Sequence, residues 1–349
     1  MKPFRNLIIS PDLLKDIAGI DEFKGRWDAI GNLAPERLSA LKKIAIIESV
    51  GSSTRIEGVK LTDDQIEKLL SGVDITSFQS RDEQEVAGYA ELMELIYESY
   101  HDILLDENHI RQLHLVLLKY SAKDERHRGN YKSVPNNVEA FDDDGHSIGV
   151  IFKTASPFDT PRLMANLVSW AHAAIKTREH HPIMVIGTFI VRFLTIHPFQ
   201  DGNGRLSRAL TALLLLQSGY HYVPYSSLER IVVDNKDEYY KALRRAQATI
   251  DADESGLNVW LSFFVHCMVN QKNILMSKID QERLMVPLAP LSEKIMTIVR
   301  EHGRVTVREA VALTKSNRNT VKDHIKKLTQ NGHLKRCGRG KGTWYKKLK

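Results

Sequence analysis

Apolar residues recur every three or four positions over most of the chain, the spacing that buries one stripe of an α-helix. Leu41, Ile44, Ala45 and Ile47 form one such run, and Val86, Tyr89, Leu92, Leu95 and Ile96 form a second. The same period returns at Ile110, Leu113, Leu117 and Leu118, and at Leu163, Leu167 and Trp170. Two longer patterns cover 182–196 and 206–218, separated by a polar, glycine-rich break. Residues 129–161 read differently. Short alternations at Val134 and Val138, then at Ile148, Val150 and Phe152, flank the acidic turn Phe141-Asp142-Asp143-Asp144-Gly145, which predicts a small hairpin or flap. Pro287 and Pro290 mark a linker. Beyond it, Ser292 is placed to cap a helix through Ile295, Ile298 and Val299, and further helices are predicted over 305–313 and 318–328 around the turn Lys315-Ser316-Asn317. After Asn331-Gly332, strand-like pieces at 333–337 and 343–347 are joined by Gly338-Arg339-Gly340-Lys341-Gly342. No internal repeat or low-complexity tract interrupts the pattern.

The 349 residues exceed one ordinary hydrophobic core, so two or three domains are expected. With 42% hydrophobic and 26% charged residues the balance is that of a globular chain, and the longest apolar runs, such as 210–216, are too short to span a bilayer. No membrane partner is expected. The first residues, MKPFRNLIIS, lack the apolar core of an export signal, and Cys267 and Cys337 form neither a disulfide framework nor a zinc spacing, so a reducing cytoplasm is the expected location. The net charge of +6 conceals an asymmetry. Residues 291–349 hold 16 Lys/Arg against 4 Asp/Glu, and the remainder is net acidic.

The chemistry concentrates in the break between the two long helical patterns, Ile196-His197-Pro198-Phe199-Gln200-Asp201-Gly202-Asn203-Gly204-Arg205-Leu206-Ser207-Arg208. A loop feeding a helix N-terminus offers unpaired amides and a positive dipole end to an anion. Gly202 and Gly204 allow close backbone approach and a nest of N–H groups. Arg205 and Arg208, three apart on the first turn, are placed to face that loop. Asp201 supplies a carboxylate suited to Mg²⁺ bridging phosphates, and His197 supplies a base near neutral pH. Each part alone has a bland reading as turn, structural histidine or solvated arginine. Together they form a phosphoryl- or nucleotidyl-transfer kit.

This segment resembles the Fic family signature His-Pro-Phe-x-(Asp/Glu)-Gly-Asn-(Gly/Lys)-Arg, with Arg208 as a second arginine. Leu113-His114 with Arg128-Gly129-Asn130-Tyr131-Lys132 is similar to the Fic segment leading into the substrate flap. Tyr239-Tyr240 with Leu243, Trp260 and Phe263-Phe264 resembles the helices closing the nucleotide pocket. The resemblance covers about residues 4–270. It departs where many relatives carry a histidine seven residues before the motif histidine, here Ile190, a difference expected to affect packing.

The resemblance implies an all-α fold: a Fic-type helical core with a small β-hairpin flap. It further implies transfer of AMP from ATP to a Ser, Thr or Tyr hydroxyl of a protein. In that reading His197 deprotonates the hydroxyl and Asp201 holds Mg²⁺. Gly202, Asn203 and Gly204, including the Asn203 side chain, form the anion hole, and Arg205 and Arg208 neutralise the β- and γ-phosphates. Tyr239 and Tyr240 border the nucleotide, and the flap aligns the target by strand addition. Upstream, Ser52-Ser53-Thr54-Arg55-Ile56-Glu57-Gly58 is an ordinary helix end with Gly58 as cap, and it is also similar to the Fic inhibitory pattern (Ser/Thr)-x-x-x-Glu-(Gly/Asn), fixed here by Ser53, Glu57 and Gly58. Glu57 is then expected to take Arg208 in a bidentate contact and fill the space of the γ-phosphate.

The basic tail, three helices followed by a Gly/Arg/Lys wing, resembles a winged helix-turn-helix, with Asn317, Arg318, Asn319, Lys322 and His324 offered to a DNA groove. Packing on the core, dimerisation or target recognition are equally open for it. The expected organisation is 1–100 as an N-terminal helical region with the inhibitory helix, 101–280 as the catalytic core and 281–349 as the winged-helix domain. Two other functions stay open beside AMP transfer. One is a DNA-binding regulator whose core senses nucleotide or modifies itself; the other is removal of AMP with Glu57 orienting a water. The target protein, the acceptor residue, the nucleotide beyond ATP and homo-oligomerisation are not readable.

Overall fold

The structure, a computed structural model, describes all residues except 1–3, 5–6, 30–34, 72–77, 79, 137, 142–146, 251, 254, 286–288, 331–332, 339 and 348–349. Asp142, Asp143, Asp144 and Gly145 of the acidic turn, Pro287, Asn331, Gly332 and Arg339 therefore lie outside the described residues. The chain divides into a large unit ending at Ile274 and a smaller one from Leu275 to Lys349.

The large unit is helical. Its helices are α1 (Pro11–Ala29), α2 (Pro35–Ile56), α3 (Asp63–Ser71), α4 (Arg81–Ser99), α5 (Glu107–Leu117), α6 (Thr160–Thr177), α7 (Pro182–Ile196), α8 (Asn203–Gln217), α9 (Leu228–Asp234), α10 (Lys236–Thr249) and most of α11 (Ser255–Met285). Helix α7 is buried on most of its circumference, from Ile183 through Phe189 to Ile196, with Arg192 and Thr195 half-buried, as a helix largely enclosed by neighbours must be. It packs between α6 and α8, and the Trp260 indole of α11 donates to Gly187 O on its far side at 2.7 Å. Pro182 supplies a preset φ at the first position of α7, while the Nδ1 of His181 accepts from Ile183 N.

Helix α2 rests against α4 and α9 and ends in a Schellman motif. Val59 N donates to Thr54 O and Gly58 N to Arg55 O, with Gly58 at φ +101°. That geometry makes Glu57 the C-cap residue and fixes where its side chain leaves the helix. Strands β1 (Val138–Phe141) and β2 (Ser147–Phe152) pair antiparallel as the expected hairpin.

The smaller unit carries α12 (Pro290–His302), α13 (Val307–Thr314) and α14 (Arg318–Gln330), then β3 (Leu334–Cys337) paired antiparallel with β4 (Trp344–Lys347). Its own core is built from Ile295, Met296, Ile298 and Val299, with Val321, Ile325 and Leu328 facing them. Two expectations are corrected here. Ser292 does not cap α12, because Pro290 starts the helix; Ser292 is buried within the first turn and its hydroxyl shares a 2.7 Å hydrogen bond with His324 Nδ1. Val305 is not helical, since it exchanges two 2.8 Å backbone hydrogen bonds with Tyr345, and α13 instead begins after Thr306 in a capping box with Glu309.

Candidate active site

The site is assembled where α7 ends and α8 begins. His197 terminates α7 in the left-handed region, at φ 54° and ψ 61°, with its N–H bonded to Phe193 O at 2.9 Å. A non-glycine residue there is strained by about 1 kcal/mol, a cost the packed loop must impose. The rest of the loop is braced from within. Asn203 accepts from Phe199 N at 2.9 Å and donates to Phe199 O at 2.7 Å, so its side chain is committed to the loop backbone. Beneath it His114 stacks on Phe199, ring centroids 3.8 Å apart. The His114 Nδ1 accepts from Gly129 N at 2.9 Å and its Nε2 donates to Asp201 O at 3.0 Å. Those two bonds require the neutral tautomer, and burial lowers the pKa to about 4.

The loop then opens into α8 through Gly202 at φ +79°, a conformation glycine adopts without penalty. Gly204 faces Glu57 of α2, and a Cβ added there would collide with Glu57 Oε1. The Glu57 carboxylate therefore lies directly over the first turn of α8.

The two arginines diverge, contrary to the expectation that both face the loop. Arg205 is buried and turns towards α4, where Nη1 meets Glu85 Oε2 at 2.9 Å, while Nη2 reaches back to Asp201 Oδ1 at 3.3 Å. Arg81 Nε holds the other Glu85 oxygen at 2.7 Å. Arg208 turns towards α2. Its Nε donates to Ser53 Oγ at 2.8 Å, and its Nη2 donates to Ser53 O at 2.9 Å and to Glu57 Oε1 at 2.8 Å. The expected bidentate pair with Glu57 is thus a fork shared between Ser53 and Glu57. Burial is the largest influence and works against the Arg208 charge, but the Glu57 carboxylate together with Tyr239 and Tyr89 offsets it, so the pKa is raised. Tyr89 of α4 lies beside Ser53 and Arg208, and its hydroxyl donates to the buried Glu229 at 3.2 Å.

Asp201 is ionised. Burial opposes its charge, yet Arg205 and the Gly202 N–H, 2.5 Å from Oδ1, hold its carboxyl below the usual range. A cleft of about 290 Å³ opens above, lined by Glu57, His197, Gly204, Arg208 and Tyr240, with Phe152 of β2 at its edge. Tyr240 is half-buried there, and Tyr239, which also lines the cleft, is buried against Trp260 and Phe263 with centroids 5.8 and 6.0 Å away.

Three contributors had no role assigned from the sequence, although Lys132 stands in the segment that resembles the approach to the flap. Lys132 is buried, and its Nζ donates to Asn136 Oδ1 and Thr154 Oγ1 at 2.8 Å each and to Ile196 O at 3.1 Å. It thereby ties both ends of the flap to the residue before His197, and burial lowers its pKa to about 8. Burial first, and then the charge of Lys132, depress the His197 pKa to about 4, which leaves the imidazole neutral. Glu85 and Arg81 are the other two. Glu85 had a signal, being a carboxylate in the same i, i+4, i+7 stripe as Tyr89 and Leu92.

A helical core that presents a histidine, an acidic residue and glycine-bounded amides at one helix N-terminus defines a Fic-type domain. Residues 104–215 match the Fic/DOC family, so the chain carries a Fic/DOC-family domain. A Fido domain-containing protein of Dictyostelium discoideum is 38% identical over 101 residues, covering 28% of this chain and 66% of that protein. The protein adenylyltransferase Fic of Drosophila mojavensis is 27% identical over 260 residues, 72% of this chain and 45% of that one. The matches span less than two thirds of the length of these curated relatives. A crystal structure of a Fic family protein from Desulfovibrio desulfuricans superposes with a TM-score of 0.63 at 22% identity, over 100% of this chain and 98% of that one. Among the described residues no helix is long and apolar enough to cross a membrane.

Proposed function

We propose that this chain is an autoinhibited protein adenylyltransferase, which moves AMP from ATP to a hydroxyl side chain of a protein. The observation that carries the reading is the neutral His197 beside an α8 N-terminus whose Arg208 is held by Ser53 and Glu57. The hydroxyl oxygen bonds to the α-phosphorus while the bond to the β-phosphate oxygen breaks and pyrophosphate leaves. His197 takes the hydroxyl proton. The amides of Gly202, Asn203 and Gly204 cradle the phosphates, and Arg208, once released by α2, neutralises the terminal phosphate. Arg205 acts from below by fixing Asp201.

Magnesium fits this site. Asp201 is an ionised, partly exposed carboxylate whose Oδ2 lies 3.7 Å from Arg81 Nη2. No cluster of three or more metal-ligating side chains exists among the described residues. One carboxylate completed by phosphate oxygens and water is the ordinary Mg²⁺ arrangement, and the ion would supply charge neutralisation on the phosphates. In this reading residues 1–100 provide the brake, 101–280 the catalytic core and 281–349 a separate winged helix-turn-helix, while the flap aligns the target strand.

The test uses ATP labelled at the α-phosphate, with Mg²⁺. Label on protein is expected to rise with Glu57→Gly and to vanish with His197→Ala. No label in any variant, with ATP still bound, would remove AMP transfer and leave its removal from modified proteins as the reaction to assay.

A further inference from the structure

We propose that the smaller unit binds double-stranded DNA, with the exposed face of α14 in the major groove and the β3–β4 hairpin on the phosphate backbone. Helix α14 spends Val321, Ile325 and Leu328 on the core, a single stripe at i, i+4 and i+7. Outside that stripe it exposes Arg318, Asn319, Lys322 and Lys326, with Asp323 as the helix's single acidic residue. Asn319, Lys322 and Lys326 fall on one line along the helix at i, i+3 and i+7. Helix α13 precedes it across three residues, with Lys315 at φ 53°, which is the turn of a helix-turn-helix.

Two of the five residues that the sequence offers to a groove are already engaged. His324 Nδ1 is bonded to the buried Ser292, and Asn317 Oδ1 accepts Asn319 N at 2.9 Å to cap α14. The reading surface is therefore Arg318, Asn319, Lys322 and Lys326.

The hairpin points to an anion independently of composition. Its register sets Lys335 directly opposite Lys346, and both are exposed. Like charges directly opposed across a ladder destabilise it. Arg336 and Lys347 add two more exposed cations to the same four-residue strands. None of Arg318, Lys322, Lys326, Lys335, Arg336, Lys346 and Lys347 forms a salt bridge among the described residues, and together they outnumber Asp323 seven to one. A polyanion along the face that carries Lys335 and Lys346 relieves their repulsion, while Arg336 and Lys347, on the other face of the ladder, add to the attraction at longer range. The backbone exchange between Val305 and Tyr345 fixes the hairpin against the segment entering α13, so wing and helix are presented as one surface. A duplex suits that surface better than a lipid bilayer, because a helix about 10–12 Å across fits the major groove and Asn319 can read a base edge.

The experiment titrates the full-length chain against a short fluorescent DNA duplex by anisotropy at several salt concentrations. Wild type is expected to bind with a log–log salt slope of about −0.9 for each phosphate contacted. Lys335→Gln with Lys346→Gln is expected to weaken binding and flatten the slope by about 2. Lys322→Ala is expected to weaken binding and to shift the preference among duplex sequences if the helix reads bases. Circular dichroism should be unchanged in each, and AMP transfer, if present, should be unaffected. No binding at low salt overturns the proposal. So does equal binding by wild type and the double variant, or equal affinity for duplex DNA and for vesicles of anionic lipid, which would mark an undirected basic surface.

Discussion

At the scale of single residues, the site is organised by groups kept in one protonation state. His114 is the clearest, because its Nδ1 must accept from Gly129 N and is not free to carry a proton. Its pKa is about 4 in the fold against the ordinary 6.5. As pH falls through 6.5 the unfolded chain takes up that proton and the folded chain does not, so stability falls with pH until about 4, where the effect saturates. For this fully buried ring the loss is on the order of 3 kcal/mol. Urea unfolding across pH 7 to 4 should show that loss in wild type, in addition to the contribution of His197, and a shallower decline in His114→Gln. Parallel pH profiles for the two proteins would show that His114 does not titrate this way. Lys132 acts on His197 in the same currency. Its positive charge disfavours the imidazolium, so Lys132→Met is expected to move the His197 pKa from about 4 up towards 6.5, as read from the ring resonances by NMR, with Lys132→Arg closer to wild type.

At the scale of elements, the end of α2 decides what Arg208 can do. The Schellman termination puts Glu57 over Gly204, and Ser53, one turn earlier, takes the Nε of the same guanidinium. A hydrogen bond to a charged group contributes about 1.5–3 kcal/mol. If α2 is the brake proposed above, Ser53→Ala should loosen it and raise AMP incorporation by roughly tenfold, because each 1.4 kcal/mol is a factor of ten. In a Glu57→Gly background the same change should do little, since the brake is already gone; an equal rise in both backgrounds would place the action of Ser53 elsewhere. The helices that carry these residues were legible in the sequence. Pro182 starts α7, and the break before Gly202 separates it from α8, so the loop and its histidine are located by punctuation alone. The destinations of the side chains were not. Arg205 finds Glu85 120 positions upstream, Arg208 finds Ser53 155 positions upstream, and Asn203 folds back on Phe199. Periodicity predicts which face of a helix is apolar, but not which distant polar group is brought against it.

At the scale of the whole molecule, the charge asymmetry and the prolines near 290 pointed to a second unit, which by contacts begins earlier, at Leu275, and the sequence misassigned Ser292 and Val305. Both errors have one cause. Each residue answers to a partner far along the chain, His324 for Ser292 and Tyr345 for Val305, and that tertiary demand overrides the local signal. The same separation has a thermodynamic consequence. The smaller unit owns a closed cluster around Ile295, Val299, Val321 and Ile325, distinct from the core around α7 and α8. A chain with two cores need not unfold as one cooperative step. Calorimetry is expected to resolve two transitions. Ile325→Ala, at a position 1% exposed, removes about 2–5 kcal/mol from the smaller unit, enough to lower its midpoint by on the order of 10 °C while the other transition stays in place. ATP with Mg²⁺ should raise only the transition of the larger unit, because a ligand stabilises the fold that binds it, and the rise should be greater in Glu57→Gly, where Arg208 is free for phosphate. A single transition moved equally by Ile325→Ala and by ATP would mean that the two cores melt as one, and that a ligand on either unit is felt by both.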